Sequence, residues 1–137
     1  MKIYYLDEPL NEEELESIKE FLTEREGNLY TEVIDQIRIP TVLPTPDIDG
    51  YYRDDIKKLI DHVKRNLVKT GFLRDSGQQI VFVLAKDNFW NGIFQLAISE
   101  VTGFYPYIVQ RWYYNGDQCV RRDIRLIDGH GMMGYKD

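Results

Sequence analysis

QIVFVLAKDNFWNGIFQLAISEVTGFYPYIVQRW, residues 79–112, is the stretch of sequence from which the fold follows. Its apolar run from Ile80 to Ala85 does not alternate with polar residues, which is typical of a strand covered on both faces. The polar trio Lys86-Asp87-Asn88 comes next, followed by a helical pattern over Phe89 to Thr102 and a second β-rich run from Tyr105. The stretch predicts strand, short loop, helix and strand, and in open α/β sheets such a loop is where ligands usually bind.

The rest of the chain extends this pattern in both directions. Further strands are predicted at Ile3–Leu6, Thr31–Ile39 and Arg122–Ile127, and helices from the cap Asn11 to the stop Gly27-Asn28 and from Asp54 to about Thr70. Asn115-Gly116 predicts a hairpin turn between Arg111–Tyr114 and Cys119-Val120. The order predicts an α/β fold, a three-layer Rossmann-like sandwich with a mostly parallel sheet and a C-terminal antiparallel hairpin, in a single domain over residues 1–137.

Three prolines interrupt the chain after the second predicted strand. Pro40, Pro44 and Pro46 forbid its simple continuation and predict a stiff loop over residues 40–50. This loop is either a rigid connection or a wall over the carboxyl edge of the sheet, because it leaves the same edge as Lys86-Asp87-Asn88.

Composition excludes several classes of protein. A formal net charge of −6 argues against a long nucleic acid as partner, although a small anion remains possible in a locally basic pocket. No apolar run approaches the roughly 18–20 residues that cross a bilayer, and the acidic N-terminus does not resemble a signal peptide. We therefore expect a cytoplasmic protein with no membrane partner.

The sequence offers little for metal or nucleophilic catalysis. Cys119 is the only cysteine, and neither His62 nor His130 belongs to a metal-ligand spacing. A nucleophile–histidine–carboxylate triad cannot be assembled either. We expect no metal and no cofactor.

The loop after the central strand is the first candidate site. Backbone N–H groups at the start of the following helix suit a phosphate, Lys86 adds positive charge, and Asn88 and Asn91 are amide donors. Trp90 offers a ring for stacking on a base. The structural alternative is that Asp87 or Asn88 only caps the helix and Trp90 packs in the core. Asp87 would repel a phosphate unless the cap engages its charge.

The end of the next strand is the second candidate. If this strand neighbours the central one, Arg111-Trp112-Tyr113-Tyr114 comes to lie beside the Lys86 loop. Arg111 then offers a charge for a phosphate, and the aromatic rings offer stacking surfaces. The alternative is that the tyrosines pack or form subunit contacts.

Four segments carry a resemblance to a known family: IDQIRIP (34–40), DDIKKLIDHV (54–63), the opening stretch, and RRDIRLID (121–128). The most telling piece is TGFYPYIVQRW (102–112), with a glycine, an aromatic and a proline ahead of a strand that ends in basic residues. Residues 32–127 resemble small CRISPR-associated proteins of type III systems, which are Rossmann-like dimers linked to cyclic oligoadenylate, several of them ring nucleases. The chain departs from that group in the loop after the central strand, where glycine or proline is expected.

The resemblance implies a homodimer that binds cyclic tetra-adenylate across its two-fold axis, each subunit offering the same loop. Cleavage would need no metal, because the ribose 2′-hydroxyl attacks its own phosphate and leaves a 2′,3′-cyclic phosphate. Lys86 and Arg111 would then be the catalytic cations. The ligand-binding residues would be Asp87, Asn88, Trp90, Asn91 and Trp112.

Two hypotheses of different classes follow. The first is an antiviral-defence protein that binds, and in one version cleaves, a cyclic oligoadenylate second messenger. No strong general base is visible in the sequence, so binding without turnover is the other version. The second hypothesis is a non-catalytic protein-interaction module that uses its tyrosine-rich strands, including Tyr113 and Tyr114, as a docking surface.

Overall fold

A computed structural model of the chain describes residues 2–26, 35–40, 53–70, 80–102 and 106–128. These residues form the strands β1 (Lys2–Tyr5), β2 (Asp35–Arg38), β3 (Ile80–Val83), β4 (Tyr107–Asn115) and β5 (Gln118–Asp128), and the helices α1 (Glu12–Glu26), α2 (Arg53–Lys69) and α3 (Asn88–Thr102). The start of the second predicted strand, most of the predicted 40–50 loop, Gly103–Tyr105 and the tail after Asp128 lie outside the described residues.

The strands form one sheet in the order β2-β1-β3-β4-β5. The first four are parallel, and β5 pairs antiparallel with β4. From β1 the chain adds β2 on one side and then crosses over to add β3 and β4 on the other. This is the predicted Rossmann-like α/β arrangement, with a reversal of strand order between β1 and β3.

Side chains alternate across the sheet and so define the three layers. Tyr4, Ile80 and Phe82 pack with α2 and α3 on one face. Ile3 and Val81 pack with α1 on the other face. All four residues of β3 are buried, which confirms that its unbroken apolar run belongs to a strand covered on both sides. No helix within the described ranges is both long and apolar enough to span a bilayer.

The start of α1 is set by a reciprocal pair of hydrogen bonds. The Glu14 N–H donates to Asn11 Oδ1 at 2.8 Å, and the Asn11 N–H donates to Glu14 Oε1 at 3.1 Å. This capping box satisfies backbone donors that the helix itself leaves free. It confirms Asn11 as the N-cap that the sequence predicts.

The hairpin turn is where predicted, and the strand after it is longer than predicted. Gly116 has a φ of 63°, a conformation that glycine adopts without strain, and Asn115 pairs with Gln118 across the turn. The predicted arm at Cys119-Val120 and the predicted last strand belong to one continuous β5. A register irregularity between Gln110 and Trp112 lets a single strand accommodate both segments.

The central strand ends two residues earlier than its apolar run suggests. The Leu84 N–H still donates to Val109 O at 3.0 Å, but the next residue, Ala85, bonds instead to the side chain of Asn91. The end of β3 is therefore decided by a side chain of α3, and the loop that follows begins at this contact.

We expect Phe94→Ala to lower the free energy of unfolding by about 3–5 kcal/mol, because it removes a large buried ring. Phe94 is fully buried and stacks on Phe82 with ring centroids 3.9 Å apart. Leu96→Ala is the matched control in the same helix, since Leu96 is 54% exposed, and its effect should stay within about 0.5 kcal/mol. Urea unfolding of both variants measures the difference, and equal losses would contradict this packing.

Candidate functional site

A groove opens beside the carboxyl end of β3, where the β3–α3 loop meets β4. Its volume is about 420 Å³, and it is lined by Leu84, Ala85, Lys86, Asn88, Asn91, Gln110, Trp112, Tyr113 and Tyr114. We call it the Lys86–Trp112 groove. β3 and β4 are hydrogen-bonded neighbours, so the loop after β3 lies against the second half of β4. Four of the predicted site residues come together here: Lys86, Asn88, Asn91 and Trp112.

Lys86 provides the positive charge of this groove. Its ammonium nitrogen lies 5.5 Å from the centroid of the Trp112 ring, within the range of a cation–π contact. An ion pair with a carboxylate would compete with a ligand for this ammonium. Among the described residues, Lys86 forms no such pair. An exposed ammonium over an aromatic face presents a charge and a stacking surface side by side.

Asn91 holds the loop rather than facing a ligand. The Ala85 N–H donates to Asn91 Oδ1 at 2.7 Å, and Asn91 Nδ2 donates to Ala85 O at 2.9 Å. Both groups are buried, so the amide satisfies a donor and an acceptor that water cannot reach. Asn91 therefore fixes the backbone from which Lys86 projects.

Asp87 and Trp90 take the structural roles that the sequence left open as alternatives. Asp87 Oδ1 accepts the Phe89 N–H at 2.9 Å, which caps α3. Trp90 packs in the core with α2 and α3 and has little exposed surface. Neither lines the groove, whereas Asn88 does and is exposed. Of the amides predicted to read a ligand, Asn88 is the one whose side chain is accessible.

Arg111 lies outside the groove, on the α1 side of the sheet, and has no exposed surface. Its guanidinium donates to the backbone oxygens of Glu8 and Pro9, and it lies 3.5 Å from Glu14 Oε1. Burial lowers the pKa of the Arg111 guanidinium, while the Glu14 carboxylate acts in the opposite direction. In this arrangement Arg111 is a structural cation, and its predicted contact with a phosphate would require leaving these partners.

Polar side chains near the strand-order reversal bond with the protein's own groups. Asp7, just after β1, accepts the Lys86 N–H with Oδ2 at 3.3 Å, and its Oδ1 lies 3.8 Å from Arg111 Nη2. Gln36 on β2 forms two hydrogen bonds with the backbone of Leu10. The described groove lies between β3 and β4, one strand away from the reversal of strand order between β1 and β3, where such folds usually bind ligands.

A second cavity, of about 450 Å³, lies between the start of α1 and β5. It is lined by Asn11, Glu13, Glu14, Ser17, Arg121, Arg122, Asp123 and Ile124. Three of these side chains are carboxylates, and Arg121 is paired with Glu14 at 3.0 Å. With three carboxylates and two guanidinium groups, the cavity carries a net negative charge while Arg121 stays paired with the acids. Among the described residues, no group of three or more His, Cys, Asp or Glu side chains is arranged to hold a metal ion.

The structure adds residues that the sequence did not identify as part of the site. Gln110 lines the groove, and the Arg121 guanidinium carbon lies 6.0 Å from the Trp112 ring centroid. The hairpin turn contains the signal for Arg121, because counting back from the Asn115–Gln118 pair places Trp112 opposite Arg121. Asp7 had no such signal, since its position depends on how β1 and β3 pair.

We expect Asn91→Ala to lower the free energy of unfolding by about 2–4 kcal/mol, because it leaves a buried N–H and a buried carbonyl of Ala85 without partners. Asn88→Ala is the matched control, since Asn88 is an exposed asparagine three residues away. Chemical denaturation measures the loss, and hydrogen exchange at the Ala85 amide measures the loop directly. Unchanged protection of that amide in Asn91→Ala would contradict the assigned contact.

Comparisons of this chain with protein families, with curated proteins and with solved structures find no match. The site is therefore defined by the geometry of the chain itself. In that geometry the loop after β3, the Lys86 ammonium and the aromatic end of β4 meet at the carboxyl edge of β3 in a Rossmann-like sheet.

Proposed function

We propose that this chain is a cytoplasmic protein that binds a cyclic oligoadenylate second messenger of a type III CRISPR system in the Lys86–Trp112 groove. The observation that carries the proposal is that the Lys86 ammonium lies over the Trp112 ring and has no ion pair with any other described residue. A nucleotide needs a cation for its phosphate and an aromatic face for its base, and this contact presents both. The resemblance of residues 32–127 to small CRISPR-associated proteins supplies the identity of the nucleotide.

The remaining groups of the groove suit the same ligand. Tyr113 and Tyr114 add aromatic surface, and the amides of Asn88 and Gln110 can bond with the edge of an adenine. A volume of about 420 Å³ lies within the usual range for a small-molecule site. A larger cyclic ligand would extend beyond one groove, so we include a homodimer in the proposal, with each subunit offering one groove.

The proposal is binding rather than cleavage. Ring opening would need protein groups that neutralise charge on the reacting phosphate. Lys86 is available for this, but Arg111, the second cation expected for the reaction, is buried and bonded to the β1–α1 loop. His62 lies on α2, where it is within hydrogen-bond distance of Asn66, and does not line the groove.

One observation favours the second candidate function, a protein-interaction module. Tyr114 is 59% exposed at the end of β4, and an exposed aromatic side chain is a common element of protein interfaces. Under this alternative Tyr114 contacts a partner protein, and removing the charge of Lys86 has no effect on the complex.

We expect Lys86→Ala to weaken the binding of cyclic tetra-adenylate at least about tenfold, because it removes the charge that pairs with a phosphate. Trp112→Ala should weaken it by roughly five- to a hundredfold through the loss of base stacking. Lys58→Ala is the matched control, since Lys58 is an exposed lysine on α2, and it should bind as the unaltered protein does.

Calorimetric titration of the purified protein with cyclic tri-, tetra- and hexa-adenylate measures binding, and chromatography of the same samples detects linear products. Absence of binding to all three would overturn the proposed function. Linear products would show that the protein is an enzyme and would overturn the restriction to binding. If Lys86→Ala and Lys58→Ala lose affinity equally, the binding depends on non-specific charge attraction and not on the groove.

A further inference from the structure

Arg121 lies next to the Lys86–Trp112 groove, whose lining does not include it, and contacts residues at the start of α1 and in the loop before it. It stands opposite Trp112 in the β4–β5 register, and its guanidinium carbon lies 6.0 Å from the Trp112 ring centroid. On its other side it pairs with two carboxylates, Glu8 Oε2 at 2.8 Å and Glu14 Oε1 at 3.0 Å. Two cations therefore lie near one indole ring: Lys86, which has no ion pair among the described residues, and Arg121, which has two.

The contacts that hold Arg121 are of a kind that an anion can replace. Arg121 and Glu8 are both substantially exposed, and ion pairs in contact with water contribute little to stability. A phosphate can accept two parallel hydrogen bonds from one guanidinium, whereas Arg121 here donates a single hydrogen bond to each of two carboxylates. The side chain of Arg121 is thus available for exchange.

Release of Arg121 does not leave a buried carboxylate without a partner. Glu14 is the least exposed acid of the group, and it keeps Arg111 Nη1 at 3.5 Å and the Asn11 N–H at 3.1 Å. Glu8 Oε2 lies 3.8 Å from Arg111 Nη2. The buried guanidinium of Arg111 therefore balances both acids when Arg121 leaves, which removes the main electrostatic obstacle to the exchange.

We infer that Arg121 is a second anion-binding residue of the groove, held by Glu8 and Glu14 until a phosphate-bearing ligand takes their place. This inference rests on the proposed function, and it names a regulation of the same site. The two acids act as internal competitors of the ligand for one guanidinium. This competition lowers the affinity of the groove for weakly charged molecules. Ligands with several phosphates can still bind both Lys86 and Arg121.

We expect Arg121→Gln to weaken binding of cyclic tetra-adenylate about tenfold and to make the affinity less dependent on salt concentration, because one ionic contact with a phosphate is lost. Glu8→Gln should strengthen binding roughly two- to fivefold, because it loosens the hold on Arg121. Arg122→Gln and Glu12→Gln are exposed neighbours with the same changes of charge, and both should leave affinity unchanged.

The outcomes separate the inference from the function on which it rests. If the unaltered protein binds and Arg121→Gln behaves like Arg122→Gln, the inference fails and the proposed function stands. If Glu8→Gln binds no more tightly than Glu12→Gln, Arg121 is not held in competition, and the inference fails as well. If the unaltered protein binds no cyclic oligoadenylate, the proposed function fails and the inference with it. Glu8→Gln keeps the test decisive if Arg121→Gln does not fold.

Discussion

The buried guanidinium of Arg111 is the constraint on which the rest of this structure depends. A charge without solvent must be surrounded by acceptors, and here they are two backbone oxygens of the β1–α1 loop and the carboxylate of Glu14. These contacts of Arg111 Nη1 and Nη2 fix the path of that loop and the position of the first turn of α1, while the buried Arg111 Nε has no hydrogen-bond partner among the described residues. The same carboxylate caps α1 through Asn11, so the helix start and the buried charge are parts of one network.

This network also reaches the loop between β3 and α3. With the β1–α1 loop bonded to Arg111, Asp7 accepts a hydrogen bond from the backbone N–H of Lys86. The β3–α3 loop is then held by hydrogen bonds with the side chains of Asn91 and Asp7. A loop held in this way presents Lys86 in one place, which lowers the entropy lost when a ligand binds.

Three cations near the end of the sheet show how environment sets the role of a charge. Arg111 is buried and structural, Arg121 is partly exposed and paired with acids, and Lys86 is exposed and free of described ion pairs. The sequence alone hardly distinguishes these three basic residues, and Arg111 and Arg121 lie on neighbouring strands of one hairpin. Burial and partners, rather than charge itself, distinguish the exposed ammonium of Lys86 from the two arginines.

The sequence by itself determined the architecture. The unbroken apolar run of β3, the helical spacing of α1, α2 and α3, the cap at Asn11 and the turn at Gly116 are local signals, and each agrees with the structure. They sufficed for a Rossmann-like sheet and for the expectation that Lys86 and Trp112 meet. What only the tertiary structure decided is which polar side chain faces the groove. Asn91 and Arg111 have the chemistry of ligand-binding residues. Their side chains instead form hydrogen bonds with backbone groups after β3 and in the β1–α1 loop, because buried backbone groups must be satisfied first.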